Sequence, residues 1–416
     1  MRPPGRDDPL PPRLGYHGRM ANSRWRRIAV IGGGPGGARC ARRLAELGLE
    51  VILYEPRIAF EKACGGGIPA RGIDRYPELR DPRLPVKIVR NCLVIAPSDR
   101  AVSVPLRDPL YVFSRADLHT LMLGQAVAAG VRLVRRRVIG WEPRPPGDSR
   151  WRLLLAAAAG DGADDAPGVP FDYLVAADGA AGSSRRRLAG GDPARQQTQG
   201  IGYYLPGLSE DTITLKFFSA LDGYLWVFPR SNHSSAGICA GLGERPAAEL
   251  TALLDRFLLD RYGRHALDGA RRYAALIPQA PVDPSRHRVV GNGWALVGDA
   301  GRFVDPLTRE GIFFAMQSGD MLAERLARGE PSRYAEDWAR SGARELSWAA
   351  RHATGFFDAR FIERLVALCA RSTTVGAILA DLIAGRQTYR GLKRRLLVNA
   401  PRVGLELAAG LFGAGR

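Results

Sequence analysis

Hydrophobic and polar positions along the chain first predict a strand–helix–strand unit over residues 28–55. Residues 28–31 form the short apolar run that is typical of a buried strand. Apolar residues recur at helical spacing over 41–47, and a second apolar strand ends at Glu55. The first third of the chain is therefore expected to contain one complete βαβ unit.

Further along, the apolar period changes to two. Between residues 197 and 242, three alternating segments are separated by turn residues, which predicts an antiparallel sheet. The segments are 212–218, 223–229 and 234–242.

The remaining pattern predicts helices and two more buried strands. Helices are expected at 114–130, with Ser114 as N-cap, at 310–327, and from residue 331 onward. Buried strands are expected at 171–180 and 294–306, and residues 143–170 are interpreted as a hairpin or surface loops.

The glycine-rich turn inside the βαβ unit carries the first chemical signal. Gly32-x-Gly34-x-x-Gly37 lies between the strand and the helix. Gly32 permits the tight turn, Gly34 lets a pyrophosphate approach the backbone, and Gly37 lets helix and strand pack closely. Glu55 ends the second strand, where a carboxylate binds a ribose hydroxyl and disfavours a 2′-phosphate. The motif predicts bound FAD or NAD rather than NADP.

Distant segments resemble the FAD-dependent family with the para-hydroxybenzoate hydroxylase-like fold. The residues that carry this resemblance are Arg115, Asp178, Gly179, Gly298, Asp299, Pro306, Gly311 and Ile312. The resemblance implies that Arg115 contacts FAD and that the Gly298-Asp299 segment contacts the ribityl chain. It further implies that the loop through Pro306 to Ile312 faces the isoalloxazine.

Two more segments resemble the geranylgeranyl reductases within that family. CGGGIP at 64–69 matches their CGGxIP segment, and YLWVFP at 224–229 matches their YxWxFP segment. The alternating rings of the second segment stand on one strand face and form an apolar wall suited to a polyprenyl chain. The resemblance implies catalytic positions at Cys64, Gly65 and Gly66. It implies substrate-binding positions at Tyr224, Trp226, Phe228 and Pro229.

The chain departs from the family pattern at four positions. Arg309 replaces the usual Gly, Ala63 the usual Pro before the cysteine, Cys239 the second glycine after YxWxFP, and Gly182 the usual Ser. A bulky cation at Arg309 would repel or anchor an anionic head group, or close the loop. Asp305 and Glu310 flank that loop, and a solvated or capping role is expected for both.

These features favour a reductase that saturates C=C bonds of an isoprenoid lipid, such as a geranylgeranyl chain, a prenyl diphosphate or a prenylquinone. The family chemistry implies hydride transfer from flavin N5, with Cys64 supplying the proton. NAD(P)H or ferredoxin would be a transient electron donor. A monooxygenase of the same fold, as a hydroxylase or a halogenase, and a non-catalytic basic flavoprotein remain the alternatives.

Composition adds charge to this picture. Lys+Arg number 60 against Asp+Glu 42, a net charge of +18. Residues 1–27 hold seven Arg against two Asp, and residues 386–416 hold seven Lys and Arg against one Glu. Because the excess concentrates at the two ends, we expect peripheral contact with an anionic membrane and no nucleic-acid partner.

Other class signals are negative. The Cys residues, five in number, show no CxxC pair, which indicates a reducing, cytoplasmic location and no metal site. No run of about 18 uncharged apolar residues is present, and residues 1–27 lack the apolar stretch of a secretory signal.

The expected fold class is α/β, α+β overall. A Rossmann-like FAD-binding domain would be interleaved with an antiparallel-sheet substrate domain and followed by a C-terminal helical region. The FAD-binding domain would comprise 25–75, 106–188 and 286–328. The substrate domain would comprise 76–105 and 189–285, the helical region 329–416, and a flexible basic tail 1–24.

Overall fold

The computed structural model describes residues 25–143, 151–156, 170–190 and 197–413. The basic tail predicted at 1–24 lies outside these residues. The predicted α/β class is confirmed, because a largely parallel sheet, a largely antiparallel sheet and a helical C-terminal region are all present.

The first sheet contains the predicted βαβ unit. Its strands run in the order β16-β17-β10-β1-β2-β6, and every neighbouring pair is parallel except β16 with β17. Parallel strands need helical crossovers, and these helices bury the apolar strand faces. The strands are β1 (Arg27–Ile31), β2 (Glu50–Tyr54), β6 (Arg132–Val134), β10 (Tyr173–Ala176), β16 (Val290–Gly291) and β17 (Trp294–Leu296).

Three long helices pack around this sheet. α1 (Pro35–Glu46) lies against both α3 (Arg115–Ala128) and α6 (Ile312–Ala327). The N-cap predicted for α3 is confirmed, since the Ser114 hydroxyl accepts the backbone N–H of Asp117. The shorter helices are α2 (Ala70–Arg75) and α4 (Ser184–Ala189).

The second sheet is antiparallel apart from one parallel pair, β12 with β4. Its order is β15-β11-β14-β13-β12-β4-β5-β3, and α5 (Ala247–Tyr262) packs on one face. The strands are β3 (Gly67–Ile68), β4 (Val86–Ile95), β5 (Ala101–Phe113), β11 (Gln197–Pro206), β12 (Thr212–Lys216), β13 (Leu225–Pro229), β14 (His233–Gly241) and β15 (Arg271–Pro278).

Strand β5 runs straight through the domain boundary expected at residue 106. Pro105 and Pro109 lie within this strand, although proline donates no ladder hydrogen bond. The register with β4 shifts between Val89 and Asn91, whose partners are Leu110 and Pro105, so Pro109 lies in the irregular stretch of one continuous strand.

A small third sheet covers part of the predicted 143–170 loop region. It joins β7 (Val138–Pro143), β8 (Trp151–Leu155) and β9 (Pro170–Phe171) in antiparallel fashion. The hairpin alternative therefore applies to the described portion of that region.

The C-terminal region is helical, as predicted, and it packs on the second sheet. Ile362, Val366 and Ala380 share a buried apolar cluster with residues of β4 and β5. The helices are α7 (Tyr334–Trp338), α8 (Arg344–Phe356), α9 (Ala359–Arg371), α10 (Thr373–Ile383) and α11 (Tyr389–Gly413), with a π-turn at Ala339–Ala343.

A search of the described ranges for membrane-spanning segments finds no single helix of sufficient length and apolarity. The pair α9 and α10 passes that test together, but the two helices meet at a bend of 119°.

Candidate active site

The glycine turn after β1 is tightly packed at Gly32 and Gly37 but has open space beside Gly34. A Cβ on Gly32, which has φ +98°, would lie 2.4 Å from the carbonyl oxygen of Ala177, and a Cβ on Gly37 would lie 1.9 Å from that of Gly32. At Gly34, in contrast, a Cβ would meet nothing within 4 Å. Gly32 and Gly37 are therefore required by packing, whereas Gly34 faces free space at the N-terminus of α1, a position with room for a phosphate group.

Glu55 holds the same turn from the adjacent strand. Its carboxylate accepts the backbone N–H groups of Gly33, at 2.8 Å, and Arg57, at 3.0 Å, and the residue is 8% exposed. A carboxylate has about four lone-pair sites, so these two bonds leave acceptor capacity for a ribose hydroxyl.

The Asp178–Gly179 segment follows β10 beside this turn. One Asp178 oxygen accepts the backbone N–H of Ser184, while Oδ1 is buried without a partner among the described residues. Burial raises the pKa of Asp178 despite the hydrogen bond from Ser184. The departure at Gly182 has a steric reason, because a Cβ there would lie 2.1 Å from the Asp178 carboxyl carbon.

Asp299 and Arg115 converge from opposite directions. The Lys62 ammonium lies 2.7 Å from Oδ2 of Asp299. Burial opposes ionisation of Asp299, but Lys62 and then Arg115 lower its pKa below the ordinary value. The Arg115 side chain is 6% exposed, and its Nε finds no acceptor in the described part of the chain. An unfilled donor beside an ionised carboxylate fits the polar chain of FAD.

One cavity of about 820 Å³ joins these groups to the second sheet. Of the predicted site residues, it is lined by Gly34, Cys64, Gly65, Gly66, Arg115, Gly179, Tyr224, Trp226, Phe228, Gly298, Asp299, Gly311 and Ile312. Those outside its lining are Gly32, Gly37, Glu55, Asp178, Pro229 and Pro306. The structure thus brings the dinucleotide motif and the aromatic motif together.

The glycine run after Cys64 is needed for close packing. A Cβ on Gly65 would lie 2.6 Å from the Phe228 ring, and one on Gly66, where φ is +85°, would lie 2.2 Å from the carbonyl oxygen of Phe113. The Cys64 thiol accepts the backbone N–H of Gly66 at 3.3 Å. The loop therefore lies flat against Phe228 and carries Cys64 into the cavity lining.

Tyr224 and Trp226 form the wall that the sequence predicted. Both are buried, and their ring centroids are 6.1 Å apart. The Tyr224 hydroxyl donates to the carbonyl oxygen of Thr308 at 2.5 Å, which joins the wall to the loop of Arg309. Phe357, which immediately follows α8, stacks on Tyr224 and extends the apolar surface.

Sequence reasoning missed a buried ion pair behind the Cys64 loop. Arg230 has no exposed surface, and its Nη1 lies 2.6 Å from Oε1 of Glu61. Glu61 also accepts hydrogen bonds from the Ser114 hydroxyl and the backbone of Arg115. Burial opposes ionisation of Glu61, but Arg230 lowers its pKa. The available signal was an arginine directly after the apolar run 224–229.

Asp305 is 4% exposed and the Glu310 side chain 7% exposed, so the solvated role expected for them is wrong, and both carboxylates instead accept backbone N–H groups. Asp305 accepts the backbone N–H groups of Leu307 and Thr308, and Glu310 accepts that of Phe313 at 2.7 Å. Burial raises the pKa of Glu310 to about 7, against the opposing charge of Arg71.

The C-terminal helices complete the cavity, which the sequence did not predict. Tyr389, the first residue of α11, donates its hydroxyl to both oxygens of Asp305 at 2.9 Å. Leu382 of α10 and Arg390 also line the cavity. Among the described residues, no cluster of three or more His, Cys, Asp or Glu side chains is placed to hold a metal.

The sequence is similar to known oxidoreductases. Residues 26–128 match the family described as pyridine nucleotide-disulphide oxidoreductase. The digeranylgeranylglycerophospholipid reductase of Methanoculleus marisnigri is 28% identical, covering 71% of this chain and 75% of its own. The menaquinone reductase of Mycolicibacterium smegmatis is 28% identical, covering 87% and 92%.

Solved structures share the fold. A geranylgeranyl bacteriochlorophyll reductase-like protein from Thermoplasma acidophilum aligns with a TM-score of 0.72 and 20% identity, over 89% of this chain and 98% of its own. A flavin-dependent brominase aligns with a TM-score of 0.62 and 19% identity, over 86% and 93%.

The fold and the site define an FAD-dependent oxidoreductase. Within that class, the chain is geranylgeranyl reductase-like, and the resemblance read from its CGGGIP and YLWVFP segments is confirmed by its relatives.

Proposed function

We propose that this protein saturates C=C bonds of an isoprenoid lipid with reduced FAD as the immediate reductant. The observation that carries the proposal is the continuity of one cavity from Gly34 and Asp299 to the Tyr224–Trp226 wall. Relatives named as reductases of digeranylgeranylglycerophospholipid and menaquinone support an isoprenoid substrate.

When bound, reduced FAD supplies a hydride, and the chain's own residues bind, orient and shield the reactants. Gly34 and the N-terminus of α1 would hold the pyrophosphate, and Asp299 and Arg115 would hold the chain between phosphate and ring. An isolated alkene is a poor hydride acceptor, so it must be positioned closely and kept away from water. Tyr224 and Trp226 suit that task because they are large, buried and face the cavity.

Cys64 is the residue we propose as proton supplier. Its thiol lies in the cavity lining, within the loop that Phe228 and Arg230 hold in place. Gly65 and Gly66 would serve by letting a planar ligand approach the backbone.

The electron donor that recharges the flavin is proposed to be NAD(P)H or ferredoxin. Only one GxGxxG turn occurs in the sequence, so a nicotinamide would bind transiently rather than in a second dinucleotide unit. The cytoplasmic location stays a prediction from the cysteine pattern.

Helix α11 supports the proposed contact with an anionic membrane. Leu397, Val398 and Leu405 are 65%, 72% and 73% exposed, close in sequence to the basic run at 393–395. An exposed mixture of apolar and basic residues is typical of interfacial helices.

The second candidate is a flavin-dependent monooxygenase of the same fold, acting as a hydroxylase or, with less support, as a halogenase. One fold can host several chemistries, and a flavin-dependent brominase shares this one. Halogenases of this fold use a lysine near the substrate. The lysine of the flavin-proximal segment, Lys62, is engaged in an ion pair with Asp299. This arrangement favours the reductase.

The deciding experiment is anaerobic incubation of the reduced holoenzyme with prenyl diphosphates, archaeal-type ether lipids and menaquinone. A gain of two mass units per double bond on one lipid, with matching flavin oxidation, is expected. Oxygen-dependent addition of oxygen or halogen, with no product under anaerobic conditions, would instead establish the second candidate.

A further inference from the structure

Arg309 has a backbone conformation that disfavours its own side chain. Its φ is +58°, in the left-handed region where glycine is the usual residue. Most other residues accept such a conformation at a cost of about 1 kcal/mol or more. The family pattern that the sequence resembles has Gly at this position, so this chain carries an arginine in a backbone conformation that favours glycine.

Arg309 lines the cavity, and its guanidinium has fewer hydrogen-bond partners there than it has N–H donors. Its Nε is buried without an acceptor, Nη2 makes a long contact, 3.5 Å, to the carbonyl oxygen of Asp222, and the guanidinium also lies within hydrogen-bonding reach of the Cys239 thiol. Among the described residues, no carboxylate forms an ion pair with it. Two other cavity-lining cations are paired: Lys62 with Asp299 and Arg340 with Asp337.

The surroundings of Arg309 are largely apolar. Its guanidinium carbon lies 5.7 Å from the ring centroid of Phe357, and its charge acts on the buried Tyr224 hydroxyl and Cys239 thiol. Two departures from the family pattern, Arg309 and Cys239, therefore meet at one place. A cation in such surroundings is costly unless an anion neutralises it.

We propose that Arg309 binds the anionic head group of the substrate, with free N–H donors directed at a phosphate oxygen. The guanidinium fork suits phosphate geometry, and burial in the cavity strengthens such a contact. The inference rests on the proposed function, and it restricts the substrate class to isoprenoids that carry a phosphate and excludes neutral prenylquinones.

The test measures equilibrium binding of geranylgeranyl diphosphate, geranylgeraniol and menaquinone to the FAD-loaded protein by calorimetry in neutral detergent. The wild type is expected to bind the diphosphate about tenfold or more tightly than the alcohol. Arg309→Gly should bring that ratio close to one, and Arg309→Lys should restore it in part. FAD affinity should be the same in all three proteins.

Arg340→Ala is the matched control, since it removes a cavity-lining cation that is already paired with Asp337. It should preserve the ratio. Arg309→Gly should also raise the melting temperature, because it relieves the left-handed strain, so loss of the ratio is not a folding defect.

The inference is overturned if Arg309→Gly keeps the ratio, if Arg340→Ala lowers it equally, or if Arg309→Gly chiefly weakens FAD binding. Binding and reduction of neutral lipids with no gain from the diphosphate would overturn the inference and leave the reductase function intact. Failure of every lipid to bind or to be reduced would overturn both.

Discussion

The Nη2 of Arg230 donates to the backbone carbonyl oxygen of Cys64 at 2.6 Å from a fully buried position. The Ser235 hydroxyl donates to the same oxygen at 2.9 Å. Through Glu61, Arg230 also connects the loop to the first turn of α3, which begins with Arg115. One guanidinium thus fixes the proposed proton donor relative to the FAD-binding helix.

Arg230→Ala is expected to destabilise the holoenzyme by about 3 kcal/mol or more, because it leaves Glu61 buried without its cation. Arg230→Lys should recover part of the stability, but one ammonium cannot reproduce the paired contacts of the guanidinium with Glu61 and with the carbonyl oxygen of Cys64. Urea unfolding measures both. As a control, Arg245→Ala breaks an exposed pair with Glu249 and should cost less than about 1 kcal/mol. Equal losses in the two alanine variants would contradict the positioning role.

Gly34→Ala and Gly37→Ala separate ligand contact from packing. The added methyl at position 34 meets no protein atom within 4 Å, so the fold should persist while FAD binding weakens. At position 37 it would lie 1.9 Å from the Gly32 carbonyl oxygen, so the fold itself should fail. Circular dichroism and retained flavin absorbance distinguish the two. If Gly37→Ala folds and retains a normal amount of FAD, the packing argument is wrong.

Glu310 should make stability fall as pH rises. Burial raises its pKa to about 7 in the folded state, against about 4.3 when unfolded. Its stabilising contribution is complete below the unfolded pKa and is lost as the pH rises through the folded pKa.

Glu310→Gln keeps the shape of the side chain and stays neutral at every pH. The free energy of unfolding of the variant minus that of the wild type should therefore increase by about 3 kcal/mol from pH 4 to pH 8. Urea unfolding at both pH values measures the change, and Glu249→Gln serves as the surface control. A difference independent of pH would show that the buried carboxyl does not titrate in this range.

Cys64→Ser should lower the rate of alkene reduction by about 100-fold while FAD content and flavin reduction stay normal, since only the proton transfer is impaired. Single-turnover oxidation of the reduced flavin by lipid measures this step. Cys369→Ser, a half-buried cysteine on α9, should behave as wild type. An unimpaired Cys64→Ser enzyme would assign the proton to another group.

Leu397→Asp with Val398→Asp should weaken binding to anionic vesicles by about tenfold or more, because apolar insertion is lost and the two added carboxylates are repelled by the anionic surface. Vesicle flotation measures it, with zwitterionic vesicles for comparison. Val282→Asp, which changes an exposed apolar residue outside α11, is the matched control. Unchanged flotation of the double variant would remove α11 from the proposed contact.

Local patterns predicted the glycine turn after β1, because two of its three motif glycines meet a steric demand set by nearby backbone. The spacing of the motif predicted a tight turn at Gly32 and close helix–strand packing at Gly37, and the structure places both residues against backbone atoms. The strands around the aromatic segment were also expected from the sequence, although β13 and β14 are buried on both faces, so alternation there does not distinguish a solvent face from a core face.

Long-range packing could not be predicted in the same way. Arg230 is a charged residue in a type of position that is usually exposed, and only the meeting of β13 with the Cys64 loop explains its burial. The contribution of α10 and α11 to the cavity depends on how helices dock on a sheet, which their amphipathic pattern leaves open. Arg309 was recognised as unusual, but its left-handed φ became visible only in three dimensions.

The hydrogen bonds from Tyr389 to Asp305 have a consequence for how the protein responds to its surroundings. Tyr389 begins the helix whose outer face carries Leu397 and Val398, and Asp305 organises the loop that runs to Arg309. A displacement of α11 would therefore disturb the loop from Asp305 to Arg309. The first residue of α11 and the loop that lines the cavity are thus joined by hydrogen bonds between two buried side chains.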